Sequence, residues 1–214
     1  VRLPVSFGTF HAIFFRILKY AYNYSAHNII REEDRFRLIK ELIEREELEI
    51  EDENEFVRSI MAEIGNVKGD MIDINNYYSA NCSDQIFRKI YNKYEEKLRN
   101  RNMVDFDDML IMCYELFKAR PDILSAWQKK YKYILIDEFQ DINRVQYEVM
   151  KMLAAPEDNL FIVGDDDQSI YRFRGARPEI MLNFEKDYET AVKIVLDENY
   201  RSTGAVIKDA QSLI

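Results

Sequence analysis

Cysteine is scarce in this chain of 214 residues, where Cys82 and Cys113 are the only two. That supply supports neither a disulfide framework nor a metal knuckle. Long apolar runs are missing as well. None approaches the roughly 20 residues needed to span a bilayer, and the start carries no signal-peptide pattern. A cytoplasmic protein without a membrane partner is therefore expected. There is no internal repeat and no low-complexity segment. Also absent is any Gly-rich loop ending in Gly-Lys-Thr or Gly-Lys-Ser, the backbone cradle that holds phosphates in many nucleotide-binding proteins. Such a cradle either lies upstream of Val1 or does not exist. The chain opens on Val, with a strand-like segment a few positions later, which reads as an excerpt of a longer protein.

Positive charge is in deficit. The net charge of −9 argues at first against a nucleic-acid partner. Its distribution weakens that objection, because residues 32–55 hold twelve acids and four bases and account for nearly the whole excess. Residues 84–101 hold six bases and three acids. Charge is segregated along the chain, so local sign matters more than the total. A solvated helix face is the default reading of the acidic run.

What the chain does contain is enough apolar residue for a sizeable core, either one domain or a core with a large insertion. Val5–Thr9 reads as a short strand leading into an amphipathic helix with Ile13, Phe14, Ile17 and Leu18 at helical spacing. From about residue 21 to 101 strand signals vanish. Phe36, Ile39 and Ile43, then Phe56, Ile60 and Ile64, then Ile86, Ile90, Tyr94 and Leu98 mark successive helices, the last capped by Ser83 or Asp84. The polar, aromatic stretch at 73–78 reads as a loop. A helix over 105–118 carries Phe106, Met109, Leu110, Cys113 and Phe117 on one face, with Asp105 as its cap. Pro121 suits the first turn of another helix, which contains Trp127.

Strand and helix then alternate. Strands are predicted at 133–136, 160–163 and 192–196, with helices after Asn143, near Pro178 and after Ser202 or Thr203. Such alternation implies a parallel sheet covered by helices. The first of these strands, an apolar run fit for burial on both faces, ends directly in Asp137 and Glu138. Uncompensated burial of charge is expensive, so the two acids belong where the strand opens into a crevice, the usual ligand position in an open parallel sheet. There, one acid is suited to hold Mg²⁺ and the next to orient and deprotonate a water. A surface Asp-Glu pair at a strand end is the plain alternative for this fragment taken alone.

Polar residues after the other two strands should converge on the same rim. Gly164 lets the backbone turn. Gln168 offers an uncharged donor and acceptor for a γ-phosphate or an attacking water. Tyr171-Arg172-Phe173-Arg174 alternates rings and cations, a pattern suited to base stacking with phosphate contact. Asn199-Tyr200-Arg201-Ser202 supplies another aromatic–arginine pair.

These segments together resemble the UvrD/Rep family of superfamily 1 DNA helicases. Ile136–Asp141 is similar to the family's Walker B strand (motif II), Gly164–Ala176 to motif III, and Asn199–Ser202 to motif IV. Gly8-Thr9-Phe10-His11 and Val104–Leu110 are weaker matches upstream, and residues 21–101 carry no motif. The resemblance implies an ATP-dependent helicase that translocates on single-stranded DNA and unwinds duplex, with 3′ to 5′ polarity. Its implied cofactors are ATP and Mg²⁺, and its implied partners are single-stranded and duplex DNA with the remainder of the helicase chain. The implied fold is α/β: a RecA-like parallel sheet with flanking helices, incomplete without its phosphate-loop part, plus an all-helical inserted subdomain like the family's 1B. Residues 1–20 and 102–214 would form the motor domain, and 21–101 the insertion.

The resemblance also implies roles. Asp137 would coordinate Mg²⁺ and Glu138 would be the general base. Gln168 and Arg201 would contact the γ-phosphate, Arg201 as an arginine finger in cis. Tyr200 would stack on adenine, and Arg174 would bridge nucleotide and DNA. Thr9, Phe10, His11, Tyr171 and Phe173 would face DNA, and Phe173 stands where many relatives have Trp. Without a phosphate loop or the family's later motifs, residues 1–214 alone should neither hydrolyse ATP nor unwind DNA. Simpler roles stand beside these: Tyr171 and Phe173 as core of a strand, His11 as a cap or core polar residue, Asp165–Asp167 as turn formers. The helicase half of a helicase-nuclease shares the same motifs. A metal-dependent nuclease using Asp137, Glu138 and Asp165–Asp167 leaves Gln168, Tyr200 and Arg201 unexplained. A non-catalytic DNA-binding module sits poorly with intact Glu138, Gln168 and Arg201.

Overall fold

The computed structural model describes residues 5–46, 48–169 and 175–212. The first helix, α1 (Phe10–Tyr22), starts where Thr9 accepts the Ala12 N–H through its hydroxyl. It stops where Asn23 takes the left-handed conformation and donates its N–H to the Lys19 carbonyl. Phe14, Ile17 and Leu18 form its buried stripe.

Three longer helices follow: α2 (Glu32–Glu44), α3 (Glu53–Gly69) and α4 (Asp84–Asn100). Their caps are as local as the sequence suggests. Asp52 accepts from the Glu55 N–H and Ser83 from the Ile86 N–H. Leu38, Ile39, Leu42 and Ile43 of α2 pack on Ile60 and Ile64 of α3 and on Phe87, Ile90 and Leu98 of α4 in one apolar cluster. The helical expectation for this block holds. The loop at 73–78 contains a 3₁₀ turn at Ile74–Asn76. The chain enters and leaves the block side by side, since Ile30 donates its N–H to the Val104 carbonyl and Val104 donates to the Asn28 carbonyl.

Helix α5 (Phe106–Ala119) opens on a capping box. Asp105 accepts the Asp108 N–H, and the Asp108 carboxylate accepts the Asp105 N–H. Met109, Leu110, Cys113 and Phe117 are buried, whereas Phe106 is exposed. With α6 (Pro121–Lys130) and α7 (Arg144–Ala154), α5 encloses the stripe of α1 in a second apolar cluster.

Strand β1 (Ile134–Ile136) pairs in parallel with β2 (Leu160–Ile162), Leu135 opposite Phe161. Helix α7 makes the crossover, opened by an Asn143–Gln146 capping box. Short α8 (Pro178–Leu182) and α9 (Phe184–Asp187) follow, and α10 (Gly204–Gln211) comes last. Parallel pairing and helical crossover are as expected, but the sheet has two strands among the described residues.

Three expectations fail. Segment 192–196 forms no strand, and Val192, Ile194, Val195 and Leu196 lie exposed. Segment 5–9 forms none either. Apolar, β-branched composition makes a segment fit to pair, but a strand exists only against a neighbour that takes its N–H and C=O groups. Strand β1 is not buried on both faces, for Leu135 is 72% exposed while Ile136 is buried. One face of the sheet packs on Phe139, Tyr147 and Met150, and the other is open. No described helix is long and apolar enough to cross a membrane.

Candidate functional site

Because β1 and β2 run parallel, both leave the sheet at one edge, and their following turns are bonded to each other. Val163 donates its N–H to the Ile136 carbonyl at 2.9 Å, and Phe139 donates to the Val163 carbonyl at 2.9 Å. The ladder therefore continues past the strand ends and fixes where the polar residues emerge.

Asp137 and Glu138 are both exposed at this edge. Glu138 has φ 51° and ψ 46°, a left-handed conformation that non-glycine residues adopt at a cost of order 1–3 kcal/mol. The Asp137 carboxylate accepts the Glu138 N–H at 3.0 Å, which braces the turn. Beyond it, Phe139–Asp141 forms a 3₁₀ turn that buries Phe139 and Gln140.

Gln140 joins the two strand ends. Its Nε2 donates to Glu138 Oε2 at 2.7 Å, and its Oε1 accepts the Asp165 N–H at 3.1 Å. Asp165 Oδ2 in turn accepts from Gln168 Nε2 at 2.6 Å. A continuous hydrogen-bonded path thus runs from Glu138 to Gln168. Gly164 makes room for it: a Cβ there would stand 2.7 Å from Gln140 Oε1 and 2.7 Å from Met181 Sδ. Asp165 also accepts the Asp167 N–H, so this acidic run shapes its own turn.

Thr9, Phe10 and His11, at the start of α1, face Asp137, Glu138 and Asp141 across a cleft of about 520 Å³. His11 packs edge-on against Phe106, with ring centroids 5.4 Å apart. Its Nε2 is buried without a hydrogen-bond partner. Burial lowers its pKa, an effect the Asp105 charge opposes. Thr9, not His11, caps the helix. Burial and the Glu138 charge push the Asp141 carboxyl up.

The structure thus gathers Thr9, Phe10, His11, Asp137 and Glu138 around one cleft and links Gln168 to it through Gln140. It does not bring in Tyr200 or Arg201. Tyr200 is 90% exposed, and Asn199 Oδ1 accepts the Arg201 and Ser202 N–H groups at 3.0 Å each in a local turn. Among the described residues, nothing connects that turn to the cleft. Tyr171, Phe173 and Arg174 lie outside the described residues. Past them, Ala176 is buried, and Arg177 donates its N–H to the Ile142 carbonyl at 2.9 Å.

The acids at the strand ends do not form a closed metal cage. Among the described residues, only Glu95, Asp105 and Asp108 bring three ligand atoms within 4.8 Å of one another. That place is taken by the Lys68 ammonium, 2.6 Å from Glu95, 2.9 Å from Asp105 and 2.5 Å from Asp108. Tyr94 Oη donates to the same Asp105 oxygen at 2.8 Å. The cluster joins α3, α4 and α5 and holds a cation of the protein's own. An exposed carboxylate such as Asp137 fits Mg²⁺ in another way, since that ion is usually held by one or two carboxylates, substrate phosphates and water.

Gln140 and Lys68 escaped the sequence reading. Gln140 stood inside a recognised motif without a role, and the available signal was a glycine just after the next strand, which marks a close approach. Lys68 gave no signal, because its three acids come from two distant segments.

A family model described as the UvrD/REP helicase N-terminal domain matches residues 4–189. The chain is 40% identical over 210 residues to YjcD of Bacillus subtilis (strain 168), covering 97% of this chain and 27% of that protein. It is 36% identical over 216 residues to the ATP-dependent DNA helicase PcrA of Leuconostoc citreum, covering 97% of this chain and 28% of that one. It is 34% identical over 216 residues to the ATP-dependent DNA helicase Rep of Escherichia coli (strain K12), covering 97% and 31%. The chain spans less than a third of the length of these relatives.

Proposed function

Since this chain belongs to the UvrD/REP helicase N-terminal domain family, we propose that it forms part of the first motor domain of an ATP-dependent DNA helicase. In this reading the full-length protein translocates 3′ to 5′ on single-stranded DNA and unwinds duplex. One observation carries it: the Glu138–Gln140–Asp165–Gln168 path starts at the same cleft that Thr9, Phe10 and His11 line. A nucleotide-side acid and DNA-side residues then line one cleft.

Asp137 would hold Mg²⁺, which when bound offsets negative charge on the nucleotide phosphates. Glu138, exposed on its braced turn, accepts the proton of the attacking water. Gln168 contacts the γ-phosphate and, through Asp165 and Gln140, is tied to Glu138. Arg201 acts as a cis arginine finger and Tyr200 stacks on adenine, which requires residues 191–203 to move onto the strand edge in the full-length protein. Tyr171, Phe173 and Arg174 serve the DNA side with Thr9, Phe10 and His11. The three-helix block serves as the 1B-like insertion. The paired entry and exit of the chain at Asn28–Ile30 and Val104 support this role.

ATP hydrolysis by the full-length protein, with and without single-stranded DNA, tests the reading. Glu138→Gln is expected to lose about 10²–10⁴-fold in kcat, the usual size of a general-base contribution. Residues 1–214 alone are expected to be inactive. A Glu138→Gln enzyme as fast as the parent would remove the general base from the scheme. Strand displacement on 3′-tailed against 5′-tailed duplexes decides the polarity.

A further inference from the structure

Gln140 is almost wholly buried, at 1% exposure, yet it is polar and sits beside an exposed acid. Its amide is satisfied at both ends, donating to Glu138 Oε2 and accepting from the Asp165 N–H. These two bonds fix the amide's orientation, because the backbone N–H can meet only the carbonyl oxygen, which turns the NH₂ towards Glu138. Among unbranched side chains of this length, Gln alone fills both duties. Met would match its length but leave the Asp165 N–H without this acceptor. Lys would donate to Glu138 but offer nothing to Asp165, and Glu would repel Glu138. Asn is a methylene too short. Gly164 is the matching concession just past the end of the other strand, since any side chain there would meet this amide.

From this arrangement we infer that Gln140 is a positioning residue for the reaction: it holds the Glu138 carboxylate in place and ties it to the turn that carries Gln168. The inference rests on the reading of Glu138 as the general base. An uncharged donor suits that task, because it anchors one carboxylate oxygen without an opposite charge and leaves the other oxygen to face the water. Gln140 touches neither water nor nucleotide in this scheme. It acts through Glu138.

The test uses the full-length protein, ATP and a single-stranded oligonucleotide, with Gln140→Met and Gln140→Glu each made alone and in a Glu138→Gln background. Gln140→Glu keeps an acceptor for the Asp165 N–H but replaces the donor to Glu138 with a carboxylate that repels it, Gln140→Met removes both bonds without adding charge, and thermal melting reports folding of each variant. Both substitutions are expected to lower kcat about ten- to a hundred-fold, the loss seen when an outer-shell orienting partner is removed, with KM for ATP unchanged. In the Glu138→Gln background, single-turnover rates should show no further loss, because nothing remains to be positioned. Folded variants within twofold of the parent, or a loss that recurs undiminished in the Glu138→Gln background, would overturn the inference. If Glu138→Gln itself turns over like the parent, the general-base reading fails. If Glu138→Gln is impaired and the Gln140 variants are not, only the positioning role fails.

Discussion

Arg177 and Asp70 meet in a two-pronged ion pair. Arg177 Nε donates to Asp70 Oδ1 at 3.0 Å, and its terminal nitrogen engages Oδ2. Asp70 closes the C-terminal end of α3, while Arg177 precedes α8 and donates its N–H to the Ile142 carbonyl. The pair fastens the three-helix block to the segment that leads into α8. Asp70 is buried, but the Arg177 side chain is 44% exposed, so solvent weakens the attraction. Asp70→Ala and Arg177→Ala are each expected to cost about 1–2 kcal/mol in urea unfolding. In the double variant the two losses should overlap by about 1 kcal/mol. Strict additivity would show that the pair contributes nothing.

Lys68 is expected to be far more costly to remove. Its ammonium is 1% exposed among three carboxylates, and Lys68→Met would strand those charges where, among the described residues, the other cation in contact is Arg35, 4.0 Å from Asp105. Breaking a buried pair in this way costs about 3–5 kcal/mol, a loss visible as a large fall in the urea midpoint. Because the ammonium occupies the centre, Mg²⁺ or Ca²⁺ should not raise the melting temperature of the parent chain through these acids. Metal-dependent stabilisation that Asp108→Ala abolishes would contradict this.

The same cluster predicts how stability responds to pH. Four carboxyls, Glu95, Asp105, Asp107 and Asp108, face two cations, Lys68 and Arg35. Burial and the Asp105 charge push Asp107 up to about 6 and Asp108 up to about 7. Burial also pushes Asp105 upward, but the Lys68 and Arg35 charges outweigh it and hold its carboxyl below the usual range. An acid with a raised folded pKa binds more protons folded than unfolded between its ordinary value, near 4, and the raised one. Stability should therefore rise as pH falls from about 8 to 5, by about 1 kcal/mol per pH unit at the steepest point. His11 opposes this below about 6.5, since its pKa is lowered by burial. Below about 4 the Asp105 contribution is lost and stability falls. Asp107→Asn should flatten the slope between pH 7 and 5, measured by urea midpoints. An unchanged slope would remove Asp107 as its source.

These interactions mark where the sequence stopped being legible. Ser83, Asp105 and Asn143 each cap a helix through contacts three residues away, so their roles could be read from local order alone. The stripes of α2, α3 and α4 were equally plain, because 3.6-residue spacing is a local signal. Strand existence is not local. Ile134–Ile136 and Val192–Leu196 carry similar apolar runs, yet only the first finds a neighbour among the described residues. At the site, Asp137 and Glu138 emerged from the strand end where expected. The Gln140 bridge stayed hidden because half of it is a backbone N–H in the turn after another strand.

Two glycines offer opposite outcomes for one substitution. A Cβ on Gly164 would stand 2.7 Å from Gln140 Oε1 and 3.2 Å from the Gln140 backbone nitrogen. Met181 can swing aside, but the Gln140 backbone cannot. Gly164→Ala should therefore cost about 1–3 kcal/mol as an overpacked site, and it should also lower kcat by displacing the amide from Glu138. Gly204, at the start of α10, has nothing within 4 Å of such a Cβ. Gly204→Ala should be neutral or add up to about 1 kcal/mol by restricting the unfolded chain. Urea midpoints of both variants, with ATPase rates in the full-length protein, provide the comparison. If Gly164→Ala matched Gly204→Ala in stability and rate, close approach at the strand ends would not be what demands glycine there.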